Sequence, residues 1–183
     1  MGLNIHTLIH PTIQQLAYEI IYQKSHHKLE HRNNEKTLGM LIFYETLRKW
    51  LKIDNIYIKK VDMLQESYLS NQFDKYLIIT NIIECYNILA DIERILPESN
   101  LQHIDLNDIN RINYHKKLKE YKIIIFEKFL KNYAIIEIIN YLQRNNKINL
   151  NDVKIICLTC SNNILKYLAK KYPQLNIYTI KII

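Results

Sequence analysis

The sequence predicts an α/β protein: a parallel sheet flanked by helices, with an N-terminal helical layer. Three observations carry this. Four short, Ile-rich apolar runs, Tyr76 to Thr80, Tyr121 to Phe126, Val153 to Thr159 and Asn176 to Ile180, read as strands buried on both faces. Helical patterns lie between them, and such alternation implies parallel strands joined by right-handed crossovers. The first third of the chain carries helical spacing instead.

The helices follow in order. Pro11 suits a first turn, where its missing N–H costs nothing. Ile13, Leu16, Ile20 and Ile21 then recur at helical spacing. Lys24 to Arg32 is polar and rich in histidine, and reads as a loop or helix end. A longer helix is expected from about Asn33 to about Leu51, marked by Leu38, Leu41, Ile42, Glu45 and Arg48, with Trp50 near its end. Glu45 and Arg48 stand three apart and share a face. Further on, Ile88, Leu89, Ile92, Ile95 and Leu96 form a helix stopped by Pro97. Ile135, Ile136, Ile138, Ile139 and Leu142 form another. Ile164, Leu165, Leu168 and Ala169 form a third, with Ser161 as its N-cap and Pro173 as its stop. No repeat or linker interrupts the pattern. One domain is expected over 1–183, with N-terminal helices at about 11–52 and an α/β core at about 53–183.

Composition narrows the function. Apolar residues at 48% and charged residues at 23% suit a globular chain. No apolar run approaches the ~18 residues of a membrane helix, and no basic segment leads into an apolar core, so neither a membrane span nor secretion is expected. The 3 cysteines cannot make a disulfide scaffold, which points to a reducing compartment. The 2 glycines, Gly2 and Gly39, exclude a Walker A loop, a dinucleotide-binding fingerprint and a kinase glycine loop, all of which need backbone without Cβ atoms against a phosphate. Lys outnumbers Arg by about four to one, and Ile, Asn, Lys and Tyr are abundant. Those preferences follow AT-rich codons and suggest an organelle or an AT-rich microbe. The net charge of +7 is spread along the chain. Its densest cluster, His115, Lys116, Lys117, Lys119 and Lys122, holds no Arg, the usual bidentate reader of phosphate and base edges, so nucleic-acid binding is not expected.

Few residues suggest chemistry. Cys157 and Cys160 form a lone C-x-x-C, but Cys157 sits inside an apolar strand and Cys85 is far away in sequence. They read as buried structural thiols rather than as a redox or zinc motif. His26, His27 and His31 lack accompanying carboxylates and read as solvated; His6 and His10 add little. Asp105 and Asp108 suit a helix start better than a cation site or an acid–base pair. Glu127 follows the strongest strand, at the end where open α/β sheets bind ligands.

Taken together, the residues resemble the uracil phosphoribosyltransferase family from about His10 to Thr179. His10-Pro11 with Ile13-Gln14 is similar to that family's H-P-L-I-Q opening. Gly39-Met40-Leu41, Tyr44-Glu45 and Arg48 resemble its G-M-L-x-x-Y-E-x-x-R helix, and Arg32 falls where it has an F-R arginine. Pro97 and His103-Ile104 match a further stretch without gaps. Tyr114, Lys117 and Leu118 resemble its Y-Y-x-K-L-P hairpin, and Pro173 with Ile177-Tyr178-Thr179 its H-P-x-x-x-I-Y-T segment.

The resemblance implies a type I phosphoribosyltransferase-like fold, assembly into dimers or larger oligomers, and an activity to test. The family joins uracil to phosphoribosyl pyrophosphate, usually with magnesium, and releases uridine monophosphate and pyrophosphate. Its D-P-M-L-A-T-G-G-S loop falls on Glu127-Lys128-Phe129-Leu130-Lys131-Asn132-Tyr133-Ala134, where both glycines are absent. Its V-P-I-L-R-A-G falls on Ile79-Thr80-Asn81-Ile82-Ile83-Glu84-Cys85, where Ile83 replaces the arginine and Glu84 would repel a pyrophosphate. Its C-terminal uracil-contacting segment, with G-D-A-G-D-R, has no counterpart before Ile183. No catalytic, cofactor-binding or metal-binding residue therefore carries over. The expectation is a homologue without the activity, acting by self-association or by pairing with an active relative, in a plastid stroma if organelle-encoded and otherwise in the cytoplasm. The alternative is a residual or altered transferase in which Lys128 and Lys131 hold a phosphate as point charges. A third reading is nonspecific nucleic-acid binding through the lysine cluster.

Overall fold

The computed structural model describes residues 2–22, 28–51, 53–59, 61, 63–70, 74–104, 118–146 and 148–183. Their elements run β1 (Asn4–Thr7), α1 (Pro11–Tyr22), α2 (Lys28–Leu47), β2 (Ile53–Lys59), β3 (Leu64–Ser70), β4 (Lys75–Thr80), α3 (Ile82–Leu89), β5 (Asn100–His103), β6 (Tyr121–Leu130), α4 (Ala134–Asn146), β7 (Val153–Cys160), α5 (Asn162–Lys171) and β8 (Asn176–Ile182). Six strands form one sheet in the order β1-β8-β7-β6-β4-β5, and every neighbouring pair is parallel. β2 and β3 pair antiparallel as a separate hairpin. The fold is the expected α/β architecture.

The sheet separates two apolar layers. Even-numbered positions of the central strands, such as Ile78, Ile124, Phe126 and Ile156, meet α1, α2 and α3. Odd-numbered ones, such as Ile79, Ile125 and Ile155, meet α4 and α5. Alternation of this kind is the period of a strand, and Ile fits it on both faces. α2 crosses α3 at Gly39, where a Cβ would stand 1.9 Å from the Ile88 carbonyl oxygen. Only glycine allows the two backbones to come that close.

Strand order creates a switch point. From β4 the chain moves outward to β5, returns to β6 on the other side of β4, and continues through β7 to β8. The C-terminal ends of β4 and β6 thus flank the crevice where open α/β sheets receive ligands.

Several boundaries differ from the expectation. α2 begins at Lys28, within the segment read as a loop, because Lys28 to Arg32 holds no Gly or Pro and Glu30 favours a first turn. It ends at Leu47, and Trp50 and Leu51 both donate back to the Leu47 carbonyl. The helix read from Ile88 to Leu96 is α3 ending at Leu89, then a separate 3₁₀ turn at Ile92–Arg94. β1 and β5 have only 4 residues each and no apolar run to announce them. β6 runs four residues past Phe126, and that extension bears on function.

Candidate functional site

β6 carries the residues that the expected loop should have replaced. Phe129 pairs with Thr159 and Leu130 with Cys160, so the strand continues where a cradle was sought. Phe129 and Leu130 favour a strand, and Leu130 is fully buried. Only Lys131, Asn132 and Tyr133 connect β6 to α4. None is glycine, so each brings a Cβ to the position where backbone N–H groups would have to close on a phosphate.

Glu127 lies one pleat from this end, 6% exposed. Its Oε1 has no hydrogen-bond partner among the described residues, and neither does the Thr159 hydroxyl on the neighbouring strand. Burial, with a smaller push from Glu84, raises the Glu127 carboxyl to about 7. A buried carboxyl poised near neutrality can give or take a proton at physiological pH, or accept bonds from a ligand rich in donors. It does not suit a polyanion.

The other face of β6 is closed. Lys128 Nζ stands 2.5 Å from Glu35 Oε1, and Asn87 Nδ2 donates to Glu35 Oε2 over 2.8 Å. Lys128 therefore spends its charge inside the protein. Lys131 is exposed, with Nζ 5.3 Å from the Phe129 ring. At the start of α3, Ile83 and Glu84 are exposed, and the Ile82 N–H donates to His103 Nδ1 over 3.2 Å. The helix-end donor nearest the β4 edge is thus taken by an imidazole.

Cys157 and Cys160 are free, buried thiols at the end of β7. Simple alternation would put them on opposite faces, yet both join the α4/α5 layer. Their mutual hydrogen bond, together with burial, pushes the Cys157 thiol up, and the same bond draws Cys160 down. Cys85 lies in the other layer, pushed up by burial. The C-x-x-C thus closes a strand instead of opening a helix.

The opposite end of the sheet holds a second buried charge, which nothing in the sequence singled out. Lys154 on β7 is 3% exposed and donates to the Thr46 carbonyl over 2.5 Å. Thr46 lies in the last turn of α2, so the ammonium caps a carbonyl that the helix leaves free. Its Nζ also sits 4.3 Å from the Trp50 ring centroid and 4.9 Å from that of Tyr178. Burial, with Lys49 and Lys122 nearby, lowers Lys154 to about 8. Lys122 shares the Trp50 ring at 5.9 Å and bonds Asp74 at 2.6 Å.

The remaining candidates disperse. His31 lies within α2, 3.9 Å from Glu35, and not in a loop. Glu45 and Arg48 form the expected pair at 3.6 Å on an exposed face, with Arg32 and Tyr44 also exposed on that helix. His6 stacks on Tyr178 at 4.6 Å, and His10 is exposed. Ser161 holds the N-cap position of α5 without a side-chain bond. His26, His27, Asp105, Asp108, Tyr114, His115, Lys116 and Lys117 lie outside the described residues. Among the described residues no helix is long and apolar enough to cross a membrane, and no cluster of three or more His, Cys, Asp or Glu could hold a metal. Sequence reasoning missed Glu35, Asn87, Thr159 and Lys154, because each sits at ordinary helix or strand spacing and gains its meaning only from another element.

No family model matches the chain. Two curated proteins do. A uracil phosphoribosyltransferase homolog of Porphyra purpurea is 34% identical over 194 residues, covering 100% of this chain and 89% of that protein. A uracil phosphoribosyltransferase homolog of Pyropia yezoensis is 31% identical over 185 residues, with coverage of 100% and 89%. Among solved structures, the AQ2163 protein from Aquifex aeolicus superposes with a TM-score of 0.74 over 97% of this chain and 86% of that chain, at 16% identity. The last likeness concerns the fold alone.

Proposed function

The chain belongs to the family of uracil phosphoribosyltransferase homologues, and within it we propose a member that keeps the fold as one domain and does not run the transferase reaction. One observation carries this: β6 runs through Leu130 as strand, leaving a three-residue, glycine-free connection to α4. Phosphoribosyl pyrophosphate needs a cradle of backbone donors at that place. Three further features support the reading. Ile83 is apolar where the family has an arginine, the Ile82 N–H already serves His103, and Glu84 and Glu127 make the crevice acidic. The residues present do not fit the substrate, and no step of its chemistry is assigned to them.

The retained role is binding. Tyr44, in the last turns of α2, and Arg48, just past its end, are exposed on one side and supply a surface for a second copy or for an active relative, with Arg32 exposed further along the helix. The AT-rich composition and the red-algal relatives support a gene carried by a plastid, with the protein in the stroma. Residual transfer through Lys128 and Lys131 finds less support, since Lys128 is held by Glu35.

Titration calorimetry with magnesium phosphoribosyl pyrophosphate, and then with uridine monophosphate, tests the loss of activity. No heat is expected from either. Micromolar binding, or uridine monophosphate formed by the purified protein, would overturn the reading. Light scattering tests the association: a dimer or larger particle is expected, and a strict monomer with no partner recovered from its native extract would remove it.

A further inference from the structure

We propose that Lys128, Asn87 and His31 form an oxoanion site that the chain fills with its own carboxylate, that of Glu35. The site lies at the C-terminal end of the central strand, on the α2/α3 face, where ligands enter sheets of this kind. Glu35 is 2% exposed. Glutamate is almost never that buried unless its charge is met. Here each oxygen has its own donor: Lys128 Nζ reaches Oε1 at 2.5 Å, and Asn87 Nδ2 reaches Oε2 at 2.8 Å. His31 Nε2 stands 3.9 Å from Oε1, one turn earlier on α2.

The donors come from β6, α3 and α2, so this is not a local helix-surface pair. A point charge, an amide N–H and an imidazole converging on two oxygens are what a protein offers to a carboxylate or phosphate from outside. The chain supplies that anion itself, and its position excludes any other. The ligand class that would take the place of Glu35 is a small oxoanion: formate, acetate or inorganic phosphate. This inference goes beyond the loss of the transferase and does not depend on it. Heat with phosphoribosyl pyrophosphate decides the one, and rescue by formate decides the other.

The test is chemical rescue of Glu35→Ala. The substitution removes the carboxylate, keeps the donors and leaves room for a small anion. Thermal unfolding is followed in formate, acetate and phosphate against chloride at matched ionic strength. Formate at ten times its dissociation constant should raise the midpoint of Glu35→Ala by roughly 4 °C beyond any effect on the parent protein, and the effect should saturate. The double variant Glu35→Ala/Lys128→Met should lose it. Equal shifts in formate and chloride, or the same shift in the double variant, would overturn the proposal. If Glu35→Ala does not fold in chloride, it is refolded in formate: folded protein recovered in formate but not in chloride is expected, and recovery in neither, or equally in both, would overturn the proposal.

Discussion

Glu127 and Lys154 are both buried in adjacent central strands of one sheet, toward opposite ends of the strands, and their surroundings differ. Lys154 has a helix carbonyl at 2.5 Å and two aromatic rings within 5 Å. Glu127 has an oxygen without a hydrogen-bond partner among the described residues. At the N-terminal end Lys154 ties the last turn of α2 to β7 through the Thr46 carbonyl. At the C-terminal end Lys128 is paired with Glu35, while Glu127 keeps an oxygen without a hydrogen-bond partner among the described residues. Where a fold must only hold together, its buried polar groups find partners; the ones left over mark where something else was once, or is still, received.

The sharpest cut through this contrast is Lys128→Met. It strands the Glu35 carboxylate without its cation and should cost about 4 kcal/mol in urea unfolding, whereas removing both partners should cost less. Glu127→Gln should act in the opposite direction. Because the folded state holds this proton up to about 7, against an ordinary value of 4.5, it binds more protons than the unfolded chain between those values. Stability therefore falls as pH rises through that window. The variant should be more stable than the parent by about 3 kcal/mol at pH 8, and by less than about 1 kcal/mol at pH 5. A difference that does not vary with pH would mean that Glu127 is satisfied after all.

Lys154 carries the opposite sign. Its lowered value, about 8 against 10.5, means that the unfolded chain binds more protons between the two, so stability rises with pH across that range. Acting alone, the two groups would give a trough of stability between pH 7 and 8, which denaturant titrations at closely spaced pH values would trace. Lys154→Ala should lose about 2 kcal/mol by uncovering the Thr46 carbonyl and emptying space between the rings. Lys154→Met should lose less and should abolish the rise above pH 8. Arg48→Ala removes only an exposed ion pair and should change stability by under about 0.5 kcal/mol, while weakening any assembly through α2.

The two ends of the sheet were not equally legible in the sequence. The central strands were visible because Ile-rich runs flanked by helical spacing have few other solutions. β1 and β5 were not: as four-residue edge strands they bury too little to leave an apolar signature, and the β2–β3 hairpin was not foreseen either. The absence of a glycine-rich loop after β6 was readable from the sequence, but the continuation of the strand through Leu130 was not. Residues 127–130 could have been a loop without glycine, and whether they pair with β7 depends on residues about thirty positions away. Lys154 was invisible for a related reason. A lysine in an apolar run looks like an interruption until a helix end and two rings are seen to converge on it.

Gly39 has a consequence in the language of codons. The chain has only 2 glycines, and one of them stands at position 39. Every amino-acid replacement open to a glycine codon adds a Cβ, and here a Cβ would meet a backbone oxygen at 1.9 Å. A library of all residues at position 39, sorted for folded protein, should return glycine nearly alone. The crossing of α2 and α3 is then a fixed point in the sequence.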